Sequence, residues 1–93
     1  MTPLGLLDGI RVLDLGTEVS GPFCAKLLAD YGADVIKVEL PGNGDPSRRM
    51  GPFAGDDPHP EKSIPFLYIN TNKRGVTLDT RSATGRGLLE AML

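Results

Sequence analysis

Residues 9–39, GIRVLDLGTEVSGPFCAKLLADYGADVIKVE, decide the architecture of this chain. Ile10, Val12, Leu13 and Leu15 form a short apolar run suited to a strand, and Gly16 to Gly21 carry turn chemistry. Pro22 falls where a first helical residue tolerates a missing N–H, so a helix is expected to open directly after the loop. Cys24, Leu27, Leu28 and Tyr31 then recur at i, i+3, i+4 and i+7 with Lys26 and Asp30 outside them, so this face is expected to pack on a sheet. Gly32 supplies a left-handed helix stop, and Val35, Ile36 and Val38 resume a buried strand. Strand, helix and strand in this order predict a βαβ crossover between parallel strands.

Around that unit, 93 residues suffice for one small domain with a thin core. Hydrophobic residues at 40% and charged residues at 24% are ordinary for a soluble globular protein. A net charge of −2 gives no basic footprint, so neither nucleic acid nor an anionic membrane is expected as a partner. Cys24 is the only cysteine and sits on the face assigned to the core, which points to a reducing, cytoplasmic setting. MTPLGLLDGIRV has no basic start, and no run approaches the roughly 18 apolar residues of a membrane span.

Downstream, residues 41–63, PGNGDPSRRMGPFAGDDPHPEKS, are too dense in Gly and Pro for a helix or central strand and are expected to form a long loop. Met50 and Phe53 are its apolar anchors, and Arg48 and Arg49 could reach a phosphate. IPFLYIN, residues 64–70, stays open between strand and helix, although Ser63 as a cap and Pro65 in a first turn would suit a short helix. Residues 70–74 form a polar connector, Gly75 to Asp79 alternate as a strand, and Ser82 caps a final helix. Gly85 and Gly87 each weaken that helix by roughly 1 kcal/mol relative to Ala, so packing must hold it. Leu88, Leu89, Met92 and Leu93 share one helical face with no stop signal after them, and a larger α/β chain is expected to continue from here.

Ligands of open α/β sheets collect at the carboxyl ends of the strands, and three such ends are present: Gly16 to Pro22, Glu39 to Pro41, and Leu78 to Ser82 with Arg81. Glu39 stands about where a dinucleotide fold places its ribose-binding acid, some 20 residues past the first strand. Gly16 and Gly21, separated by four residues, do not make the G-x-G-x-x-G pattern, and Pro22-Phe23 excludes a P-loop, so NAD is not expected. His59 has no Cys or second His near it, so no metal site is expected. Asp14 and Glu18 could serve as acid or base, yet an Asp at a strand end more often caps or pairs locally. Cys24 has no neighbouring base to activate it as a nucleophile. From the residues alone, the reading stops at the anion-binding half of an α/β protein.

The wording of LDGIRVLDL, SGPF, LLADYGADVIKVE, GDPSRR and NKRGVTLD resembles the N-terminal segment of the family III CoA-transferases, the CaiB/BaiF group, over nearly the whole chain. The resemblance implies a Rossmann-like parallel sheet with flanking helices, residues 1–93 forming the N-terminal part of a larger CoA-transferase domain. It implies an interlocked homodimer and acyl-CoA and a small carboxylic acid as substrates, with no metal. Catalysis would run through an aspartate downstream of Leu93, so no catalytic residue is expected in this segment. Carried over by position, the CoA contacts fall on Val19, Ser20, Leu40, Leu78, Asp79, Thr80 and Arg81, with Thr17, Gly21, Arg48 and Arg49 lining the active site.

Two departures from the family pattern stand out. Leu40 occupies a position that is often basic, so either Arg48 or Arg49 substitutes or the nucleotide is held more loosely. Thr17 stands where formyl-CoA transferase has a histidine, which argues against formate or oxalate. GPFCAKLLADYGA also resembles the α-methylacyl-CoA racemase branch, but the length of residues 41–63 favours the transferases. An inactive CoA-binding fragment is the remaining alternative.

Overall fold

Residues 9–39 do form the crossover. The computed structural model describes residues 5–93; the amino-terminal stretch read above for a leader begins in residues 1–4, outside that range. In chain order the elements are β1 (Arg11–Asp14), α1 (Ser20–Asp30), β2 (Asp34–Glu39), α2 (Ile64–Ile69), β3 (Arg74–Thr77) and α3 (Ala83–Met92). The three strands are parallel in the order β1-β2-β3, with Val12 opposite Val35 and Val38 opposite Val76. This is a Rossmann-like α/β arrangement. Only β2 is paired on both edges, and accordingly Val35, Ile36, Lys37 and Val38 are all buried, whereas β3 has no buried residue.

The packing face of α1 differs from the one expected. Pro22, Ala25 and Ala29 are buried, and the alanines join Ala33 and Val35 in the core with Leu28 half-buried beside them. Cys24 is exposed, and Leu27 and Tyr31 are 43% and 57% exposed, so Cys24 is not a core residue. Two stripes of helical period coexist in this segment, one of large side chains and one of small ones, and periodicity alone does not rank them. The helix also begins at Ser20, which makes Pro22 its third residue, still among the N–H groups that have no intrahelical partner. Gly32 at φ 109° ends it as expected, with the Gly32 and Ala33 N–H groups donating to Ala29 O and Leu28 O.

The 41–63 segment contains no α-helix or sheet strand, only two 3-10 turns at Pro46–Arg49 and Ala54–Asp56. Its anchors are polar. Met50 is 39% exposed and Phe53 half-buried, while Asp45, Ser47 and Ser63 are buried. Ser63 Oγ lies 2.7 Å from both Ser47 O and Met50 O, and it accepts the Phe66 N–H at 3.3 Å. That cap, with Pro65 in the first turn, decides residues 64–69 as a short helix.

β3 starts one residue earlier and ends two earlier than expected. Ser82 caps α3 by accepting the Gly85 N–H at 2.9 Å. Gly85 is more than a weak helix former, because a Cβ there would collide with the Asp79 carbonyl. Of the apolar face expected on α3, Leu89 and Met92 are half-buried, while Leu88 and Leu93 are 53% and 88% exposed. No helix among the described residues is long and apolar enough to cross a membrane.

Candidate functional site

Parallel pairing brings the carboxyl ends of all three strands to one edge, and a cavity of about 360 Å³ opens there. Gly16 and Thr17 line it from the turn after β1, Leu40 from the end of β2, Thr80 from the turn after β3, and Leu89 from α3. Thr17, Leu40 and Thr80 of the expected site residues are thus brought together. Val19, Ser20 and Gly21 are not among its lining residues; they form the exposed start of α1, where Val19 caps the helix without a side-chain hydrogen bond. Leu78 is half-buried, and its N–H donates to Glu39 O at 2.9 Å, which ties the end of β3 to the end of β2. Arg81 is exposed, and its Nε and backbone N–H both donate to Asp79 Oδ1, at 3.1 and 3.0 Å. The Arg81 side chain holds the Asp79 carboxyl below its ordinary value.

The two arginines of the long loop have different surroundings. Arg48 is engaged on every side: Nε and Nη2 donate to the two oxygens of Glu39 at 2.7 Å each, and Nη1 donates to Pro60 O and Glu61. Its guanidinium also stacks 3.9 Å from the Phe66 ring centroid. These bonds hold the Glu39 carboxyl below its ordinary value and raise the Arg48 guanidinium further. Glu39, the residue that mimics a ribose-binding acid in sequence, is consumed in this fork. Arg49 is exposed and donates from Nη1 to Asn43 O, beside a second cavity of about 340 Å³ that Leu40 and Thr77 also line.

Lys37 and Asp45 also line the first cavity, and with Asp14 and Lys73 they form a group of four charges that sequence reading did not assemble. Lys73 Nζ donates to Asp14 Oδ2 at 2.8 Å, to Pro22 O at 2.7 Å and to Asn70 Oδ1 at 2.7 Å. Lys37 Nζ stands 2.7 Å from Asp45 Oδ2, close enough to pair its charge although off the direction of a hydrogen bond, and 3.8 Å from Asp14. All four side chains are at most 3% exposed. Two positive and two negative charges make the group neutral, as burial requires. Burial pushes the Lys73 ammonium below its ordinary value despite Asp14. For Asp45 burial is also the largest influence and acts upward, but Lys37 and the N–H groups of Ser47 and Glu18 outweigh it and leave the carboxyl low. Asp14 caps locally as expected, with Oδ1 accepting the Gly16 N–H, but its ionic partners Lys73 and Lys37 are distant in the chain. The signal available in sequence was a lysine inside an otherwise apolar strand, Lys37 between Ile36 and Val38, since a buried strand position needs a partner for that charge.

The sequence pattern of CoA-transferase family III matches residues 7–93. The chain is 41% identical over 87 residues to the succinyl-CoA–D-citramalate CoA-transferase of Chloroflexus aurantiacus, covering 94% of this chain and 21% of that protein. Against the formyl-CoA:oxalate CoA-transferase of Rhodopseudomonas palustris the identity is 48%, covering 94% of this chain and 20% of the relative. Among solved structures, a CaiB/BaiF family protein from Brucella suis superimposes with a TM-score of 0.80 at 41% identity, over 92% of this chain and 22% of that one. This chain thus spans about a fifth of the length of these relatives. With the family pattern running through every strand end that meets at the cavity, the chain belongs to CoA-transferase family III.

Proposed function

We propose that this chain is the N-terminal part of the CoA-binding domain of a CoA-transferase that moves CoA from an acyl-CoA thioester to a small carboxylic acid. The observation that carries this reading is the convergence of the three strand ends on one cavity in a chain of this family. Val19, Ser20, Leu40 and residues 78–81 supply CoA contacts. Thr17 and Gly21 face the acyl end, and Arg49 rather than the fully engaged Arg48 is the cation free to offset Leu40. An aspartate carboxylate outside residues 1–93 attacks the donor thioester carbonyl and expels CoA as thiolate, leaving a mixed anhydride. The thiolate then attacks the aspartyl carbonyl, which releases the donor acid and forms an aspartyl thioester. The acceptor carboxylate attacks that thioester to give a second anhydride, and the returning CoA thiolate takes the acceptor's acyl group and frees the aspartate. The working form is a cytoplasmic homodimer that needs neither metal nor NAD.

Equilibrium binding of CoA and of NAD to the full-length protein tests the first step, with preference for CoA expected and preference for NAD overturning the reading. Incubation with succinyl-CoA or formyl-CoA and labelled oxalate or D-citramalate, the acids in the relatives' names, tests the second. Label is expected to appear in a new thioester; epimerisation of an α-methylacyl-CoA without transfer would assign the protein to the racemase reaction instead.

A further inference from the structure

The turn after β1 takes its shape from side chains that lie outside it. Asp14 Oδ1 accepts the Gly16 N–H at 3.0 Å, Lys37 Nζ donates to the Gly16 carbonyl at 3.2 Å, and Asp45 Oδ1 accepts the Glu18 N–H at 3.0 Å. The peptide groups on both sides of Gly16 are therefore fixed by two members of the buried ion group, and Glu18 by a third. Glu18 itself sits at φ 65°, a left-handed conformation that a residue with a Cβ adopts only under constraint, and its side chain is exposed and offers none. Lys73 completes the set by clamping Asp14 to the first turn of α1 through Pro22 O.

We infer that Asp14, Lys37, Asp45 and Lys73 are positioning residues for acyl-CoA, acting through the Gly16–Val19 turn that presents Thr17 to the cavity. Stability alone does not account for four buried charges, because well-packed apolar residues at such sites are commonly as stabilising or more so. What apolar side chains cannot do is grip a backbone N–H, a carbonyl and a second N–H within three residues of one turn. This inference rests on the CoA reading above.

The test uses the full-length protein with Asp14→Ala and Lys73→Met together, which removes one charge of each sign, leaves Lys37 and Asp45 paired and replaces no residue that lines the cavity. CoA affinity is expected to weaken roughly tenfold, the loss of one to two net hydrogen bonds' worth of ordering. KM for acyl-CoA should rise more than kcat falls, and amide exchange should accelerate at Gly16, whose N–H loses its acceptor, while the β2 amides stay protected. A purely structural role would lower the melting temperature and the active fraction with KM unchanged, and that result overturns the inference. Should the double variant fail to fold, Glu18→Pro breaks the same turn from its exposed side, since Pro neither donates the N–H nor reaches φ 65°; unchanged CoA affinity there also overturns it. If the unaltered protein binds no CoA, the proposed function falls, and the exchange measurement still decides whether the ion group holds the turn.

Discussion

The turns that follow β1 and β3 both open onto the strand-end cavity, yet they are built in opposite ways. The first, Gly16 to Val19, is gripped at three backbone atoms by buried charges from β1, β2 and the long loop. The second, Leu78 to Ser82, is held mostly by itself. Asp79 O accepts from Ser82 N and Oγ, Asp79 Oδ1 accepts from Arg81, and its one link to the neighbouring strand is Leu78 N–H to Glu39 O. One wall of the site is thus set by the fold before any ligand arrives. Next to the other stands Arg81, 70% exposed and bonded through Nε to Asp79 two residues away, a side chain that can adjust to what it meets.

The largest effect should come from breaking the rigid side. Lys73→Met leaves the buried Asp14 carboxylate short of its nearest cation and should destabilise the full-length protein by about 3–5 kcal/mol, read by urea denaturation. A loss below about 1 kcal/mol would mean that water reaches Asp14 and that the two turns differ less than their geometry suggests. On the adjustable side, Arg81→Ala should leave stability unchanged and weaken CoA binding by about 1.5–3 kcal/mol, the range for a charge-assisted hydrogen bond. Calorimetric titration measures both quantities on one sample, and unaltered affinity would remove Arg81 from the site. The smallest change is expected for Ser82→Ala, which removes the α3 cap at a cost of about 1 kcal/mol. If the β3 turn is as self-contained as it looks, CoA affinity should shift with this cap while amide exchange in the Gly16–Val19 turn does not.

The strands and α1 were legible because each is local: an apolar run, a turn and a helix stop can be read within a dozen residues. Ser63 and Ser82 were legible as caps for the same reason. The face of α1 was not, because Ala25 and Ala29 make a core stripe with less hydrophobic weight than Leu27 and Tyr31 beside it. Arg48 looked available for a phosphate because its partners, Glu39 and Glu61, lie 9 and 13 residues away and nothing local announces them. The same limit hid the buried ion group. Lys73 reads as part of a polar connector, and Gly85 as a helix-weakening residue, until the fold brings Asp14 to the one and the Asp79 carbonyl to the other.

The clamp between Lys73 and Asp14 joins positions 59 apart in the chain. Closing so long a segment carries an entropic cost that local helices never meet, so such a contact is expected to form late in folding, after β2 and β3 have come into register. The turn that borders the site is therefore expected to reach its final shape among the last events of assembly. On the ribosome, a nascent chain that holds β1, α1 and β2 still lacks the clamp on that turn until residue 73 has emerged, and the cavity's Thr80 and Leu89 follow later still.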